Sequence, residues 1–184
     1  MRHTLPFLLV LCSLLAHADD ALIWGDKDKL SPFDYDFEAN AKTWSEMQSR
    51  LPPYPKPGNF VAISLGSRSS NQYFIDYASV SADQDGVVRY SVVVKSPSGA
   101  ETVSYEGMRC GTGERKLYAF GHSDKKGGGE WSKNRYARWE PIPGRGYNDF
   151  RRELFTHYFC TVEGAVSLPD IQRNLKSGGL YNSD

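Results

Sequence analysis

Apolar and polar positions change rhythm several times along this chain. Residues 5–15 form an apolar run interrupted only by Pro6, Cys12 and Ser13. Further on, Phe37, Ala41, Trp44, Met47 and Leu51 recur at spacings of three and four. That spacing predicts one face of a short helix, with Trp44 docking on a core. The proline-rich stretch 52–58 would end the helix, because proline lacks the amide donor a helix needs. From residue 59 the period shortens to two. Residues 59–65 and 73–80 read as strands, and Asp85-Gly86 is a strong hairpin signal. Beyond it Val88, Tyr90, Val92 and Val94 alternate with Arg89, Ser91, Val93 and Lys95, which predicts a strand with one wetter face. Pro97-Ser98-Gly99 turns the chain into 102–109, and Gly111-Thr112-Gly113 turns it again into 117–120. The expected core is thus an antiparallel meander of four to six strands.

Two helices are expected after the meander. Over 149–159, Phe150, Leu154, Phe155, Tyr158 and Phe159 share one face, with Arg151, Arg152, Glu153 and Thr156 toward water and Asn148 as the cap. The second begins near Ser167: Pro169 suits its first turn, Asp170 suits its positive end, and Gly178-Gly179 stops it. Helix, strands, helices in that order predicts an α+β fold with two or three helices.

The apolar run 5–15 is too short to cross a bilayer, which takes about 20 residues. Arg2 before it and Ala16-His17-Ala18 after it read as an export signal cut between Ala18 and Asp19. Leu11 is too bulky for a lipoprotein signal at Cys12. No transmembrane segment is expected in the mature chain. That chain would keep two cysteines, Cys110 and Cys160, in an oxidising compartment, where a disulfide is the expected state. The three-domain reading is 1–18 signal peptide, 19–58 acidic helix and proline-rich connector, and 59–184 an α+β domain.

Charge narrows the function. Lys and Arg number 22 against 22 Asp and Glu, and that balance argues against a dedicated nucleic-acid binder. The charges are unevenly placed. Residues 19–50 carry eight acids against four bases, whereas 109–152 carry eleven bases against five acids. In the basic region Trp131, Tyr136, Trp139 and Tyr147 are interleaved with the cations, a pattern that suits glycans, peptides or acidic polymers. The plainer reading places the aromatics in the core, the cations in water, and the acidic segment as their partial neutraliser.

Catalytic signatures are sparse. The chain has no Gly-x-Ser-x-Gly, no phosphate-cradling loop and no His-Glu-x-x-His. Cys110, His122, His157 and Cys160 are a conceivable zinc set, but structural zinc sites use tighter paired spacing, and no cofactor is expected. A carboxylate pair for hydrolysis remains open among Glu101, Glu106, Glu114, Glu130 and Glu140.

Three blocks have a family look: 85–90 (Asp-Gly-Val-Val-Arg-Tyr), 96–100 (Ser-Pro-Ser-Gly-Ala) and 103–110 (Val-Ser-Tyr-Glu-Gly-Met-Arg-Cys). With Tyr118-Ala119-Phe120-Gly121, Trp131 and Phe159-Cys160, they make the chain resemble the cryptic neisserial protein-like family over most of 59–175. The resemblance implies an exported Gram-negative periplasmic or envelope-associated protein and implies no activity. The functional expectation is a non-enzymatic module binding an envelope protein or a cell-surface glycan through Tyr105, Glu106, Arg109, Trp131 and Trp139. The alternatives are a hydrolase using Glu106 or an envelope assembly factor.

Overall fold

The computed structural model describes residues 44–65, 69–124, 128–144 and 149–179. All belong to one compact unit, Trp44–Asp184. The export signal and the proposed cap Asn148 lie outside the described residues.

The meander is as expected and slightly longer. Its strands are β1 (Phe60–Ile63), β2 (Gln72–Ala82), β3 (Val87–Lys95), β4 (Glu101–Arg109), β5 (Glu114–Ser123) and β6 (Gly129–Lys133), each antiparallel to the next. The lower half of β5 pairs instead with β7 (Trp139–Pro141). Turn chemistry fixes the register. Gly86 and Gly99 take up the positive φ of the two hairpin turns, and the Asp85 carboxylate accepts from the Val87 amide. Cross-strand rows then follow from the pleat: Ile75, Val92 and Ser104 line up on one face, and Asp76, Ser91, Tyr105 and Ala119 on the other.

Helices cover the first face. Helix α1 (Phe150–Leu154) is capped by Asp149, whose carboxylate accepts from the Arg151 amide, so the cap falls one residue later than Asn148. It runs on as a π-helical turn, Phe155–Phe159. A small hairpin of β8 (Cys160–Thr161) and β9 (Gly164–Ala165) leads to α2 (Leu168–Ser177). Helix α2 begins and ends as its residues predict: Ser167 accepts from the Asp170 amide, and Gly178 closes it in the left-handed region. Ile75, Val88, Tyr90, Val92 and Met108 of the sheet pack with Phe150, Leu154, Phe159, Ile171 and Leu175 in one apolar core. Cys110 and Cys160 form a disulfide that ties the end of β4 to the end of the π-turn.

Two expectations are corrected. The described part of the expected first helix, 44–51, is neither helix nor strand. The Met47 amide and carbonyl are met by the side chains of Asp85 and Arg89, and the prolines that follow forbid a helical continuation. The supposedly wetter face of β3 is also buried: Arg89 is 2% exposed, and Ser91 and Val93 are fully covered. What covers it is residues 44–56, which cross that face as a strap.

Candidate functional site

The five sequence candidates divide between the two faces of the sheet. Glu106 pairs in register with Tyr90 and so points at the helices. It has no exposed surface. Its Oε1 accepts from Ser104 Oγ at 2.8 Å and Arg151 Nη2 at 2.6 Å; its Oε2 accepts from Arg151 Nε at 2.5 Å and Tyr90 Oη at 3.4 Å. Arg151, expected in water, instead reaches back into the fold as a bidentate clamp. Burial disfavours its charge, but the Glu106 carboxylate outweighs burial and holds the guanidinium above its usual range. Burial likewise pushes the Tyr90 phenol well up, and Glu106 adds to the effect. This constellation links sheet to helix. Glu106 lines none of the three cavities described below.

Tyr105, Arg109, Trp131 and Trp139 lie on the opposite face. Tyr105 is 3% exposed, its ring set between Tyr118 at 5.6 Å and Trp131 at 6.1 Å. Arg109 stands at the rim, its guanidinium 3.8 Å from the Trp44 ring centre and 3.6 Å from Glu114. Each indole donates to the strap: Trp131 Nε1 to the Pro52 carbonyl at 2.8 Å and Trp139 Nε1 to Glu46 Oε2 at 3.2 Å.

The strap fits this face at three places along its length. At its head Trp44 meets Trp139 edge to face and donates to the Asp85 carbonyl at 2.8 Å. Glu46 accepts from Lys116 Nζ at 2.7 Å and Tyr118 Oη at 2.6 Å. Burial alone would raise its pKa, but the bonds from Lys116 and Tyr118 win and lower it. In the middle, the Met47 carbonyl accepts from Arg89 Nη2 at 3.1 Å and the Met47 amide donates to Asp85 Oδ2 at 2.9 Å. Arg89 Nη2 in turn holds Asp85 at 2.6 Å, and despite desolvation that pairing lifts Arg89 above its ordinary range. At the tail the Tyr54 ring packs on Trp131 at 5.6 Å. It lies where a Cβ on Gly121 or Gly129 would stand, so the two glycines make the floor of its seat.

The polar complement beneath the strap is incomplete. Five buried side-chain atoms have no protein hydrogen-bond partner at ordinary geometry: Ser49 Oγ and Tyr54 Oη on the strap, and Asp76 Oδ1, Arg89 Nε and Ser91 Oγ on the sheet. Burial pushes the Asp76 carboxyl up. Cavities are found at three places among the described residues. One of about 600 Å³ sits at the strap's head beside Trp44, Asp83, Arg109 and Ser167. One of about 440 Å³ lies against the disulfide, and one of about 210 Å³ is lined by Tyr54, Lys56, Asn59, Asp76 and Ser79. Among the described residues, no group of three or more His, Cys, Asp and Glu side chains is placed to hold a metal.

Sequence reasoning missed Arg89, Lys116, Tyr118, Glu46 and Tyr54 as members of this face. The one signal that pointed there was the opposed charge of the two chain halves, which Glu46 and Lys116 express as a contact.

Fold and site define a small α+β domain stapled by a disulfide, with one sheet face apolar and the other cationic and aromatic. The chain belongs to the CNP1-like family, whose family model matches residues 39–176, strap included. It is 29% identical over 160 residues to Cryptic neisserial protein 1 of Neisseria gonorrhoeae, covering 78% of this chain and 77% of that protein. No solved structure matches the chain. Among the described residues no helix is long and apolar enough to cross a membrane. A disulfide suits an oxidising, exported compartment.

Proposed function

We propose that the protein is exported to the periplasm through the signal 1–18, cut between Ala18 and Asp19, and works there as a non-enzymatic binding module for an envelope protein. Its recognition surface is the cation–aromatic face, entered at the rim formed by Arg109, Trp131 and Trp139. Tyr105 is the floor of that surface, and Glu106 supports the sheet from behind. The observation that carries this reading is the strap. A stretch of polypeptide already lies on the face, held by indole donors, a lysine and an arginine acting on a carboxylate and on backbone carbonyls. Those contacts suit a peptide chain better than a sugar ring. The hydrolase reading loses its proposed acid, because Glu106 is enclosed by Arg151, Ser104 and Tyr90.

Photo-crosslinking in the native envelope tests the reading. A photoreactive residue is placed at position 139, and a control at exposed Val162. The expected result is a discrete polypeptide adduct from 139 alone, weakened by Arg109→Ala. Equal adducts from both positions, or sedimentation with purified cell-wall glycan and no polypeptide adduct, would reject it.

A further inference from the structure

We infer that residues 44–56 are an internal stand-in for the partner: a displaceable occupant of a groove that recognises an extended, proline-rich segment with an aromatic residue and a carboxylate at its head. The inference rests on the reading of this face as the recognition surface and adds what the ligand is and how the site is regulated.

Three independent features support it. First, the strap is held as peptide ligands are held. It joins no strand ladder, and its backbone is gripped by side chains at Met47 and Pro52. Aromatic grooves that donate an indole N–H to a carbonyl are a general solution for proline-rich chains, which cannot offer a full set of amides of their own. Here Trp131 does so to Pro52, within a run that has proline at 52, 53, 55 and 57.

Second, the fit is chemically specific at the head and loose beneath. Trp44 and Glu46, two residues apart, engage Arg109, Trp139, Lys116 and Tyr118. All five buried polar atoms among the described residues that fall outside ordinary hydrogen-bond geometry lie on the strap or on the sheet face under it. The helix-side core has none of them. Buried polar groups with strained hydrogen-bond geometry make an interface easier to open than an apolar one.

Third, the strap joins β1 only through Pro55-Lys56-Pro57-Gly58 and contributes no pairing to the sheet. Lifting the strap breaks no rung of the meander. It does not disturb the disulfide.

The test has two arms on the mature full-length protein. In the parent chain, native-state hydrogen exchange followed by NMR should show the Met47 amide exchanging at least a hundredfold faster than the slowest amides of β3 and β4. A Met47 amide as slow as those would overturn the inference without touching the envelope-partner reading. In the second arm, a labelled synthetic peptide with the sequence of residues 44–56 is titrated into parent and Glu46→Ala. The expected result is at least tenfold tighter binding to Glu46→Ala, most of it lost when Lys116→Ala or Trp131→Phe is added. Equal binding to parent and variant overturns the inference. So does a concentration-dependent dimer of Glu46→Ala that exchanges straps, because the occupant is then a second copy. If both arms succeed while the crosslinks fail, groove exchange stands and the envelope partner is the part to discard.

Discussion

The Arg151 guanidinium grips both oxygens of Glu106, Nε to Oε2 at 2.5 Å and Nη2 to Oε1 at 2.6 Å, across the boundary between the sheet and the first helix. Removing one partner strands the other in a solvent-poor site, which for buried pairs costs about 3–5 kcal/mol. Arg151 retains some exposure, so Arg151→Ala should fall near the lower end, at ~3 kcal/mol. Replacing both residues, Glu106→Gln with Arg151→Met, should recover part of the loss. Urea unfolding of Glu106→Gln, Arg151→Met and the double variant measures this. Additive losses would show that the two side chains do not act as a pair.

The disulfide spans a sequence separation of 50. Closing a loop of that size should stabilise the fold by ~4 kcal/mol on the chain-entropy account. For a domain of this length, Cys110→Ser/Cys160→Ser should then melt about 10 °C lower. Mature protein denatured without reductant should show no free thiol. Two thiols by Ellman titration would mean that the sulfurs are unlinked in solution.

How much of this was legible from the residues depends on whether the deciding contact is local. Helix α2 was readable because Ser167, Pro169, Asp170 and Gly178 each act within one turn of the backbone they cap or stop. The meander was readable because a period of two and glycine turns are local as well. Arg89 and Ser91 were misread as facing water, since alternation says only that a strand has two unlike faces. It cannot say that a segment forty residues earlier covers the polar one. Trp44 and Met47 do have helical spacing, yet Arg109, Trp139, Asp85 and Arg89 hold them in a non-helical chain. Tyr105, Glu106 and Arg109 were singled out by the 105–110 block and Trp131 and Trp139 by their place among cations, whereas which face of the sheet each occupies needed the pleat.

Acid should loosen the strap. Glu46 and Asp85 are each pushed up by burial and pulled down more strongly by their partners, Lys116 and Tyr118 for the first and Arg89 for the second. Both therefore have folded values below the ordinary 4.5 and 3.8. The stability they lend is complete above those ordinary values and is lost as pH falls through the lower folded ones. Asp76 runs the other way, since burial raises it: what it contributes is present at low pH and lost as pH rises through its raised value. Indole emission from Trp44 and Trp139 should change below about pH 4, before the far-ultraviolet signal of the sheet. Glu46→Gln should lose its share of that response, and Asp76→Asn should stabilise the fold at pH 7 and not at pH 3. A parent chain whose indole and backbone signals change together would mean that strap and sheet unfold as one.

Gly107 offers the sharpest structural probe of the strap, because it lies in β4 directly under the ring of Tyr118. A Cβ at 107 would stand 2.6 Å from the Tyr118 hydroxyl and 2.7 Å from its ring edge. Glycine in a strand is ordinarily a weakness, so alanine there should help unless something occupies the space. Here the ring occupies it, and the ring is also what presents the hydroxyl to Glu46. Gly107→Ala should therefore destabilise by ~1–3 kcal/mol through overpacking, and it should loosen the strap's head as Tyr118 moves. Tyr118→Ala alone should loosen the head too, by removing the Glu46 bond. The two changes should not add: with the ring gone, alanine at 107 no longer clashes with it, and the double variant should match Tyr118→Ala or exceed it in stability. Thermal melts of all three variants, with Met47 amide exchange as the local readout, decide the matter. An additive pair would mean that Gly107 is required for some other contact and that Tyr118 is not what fills its space.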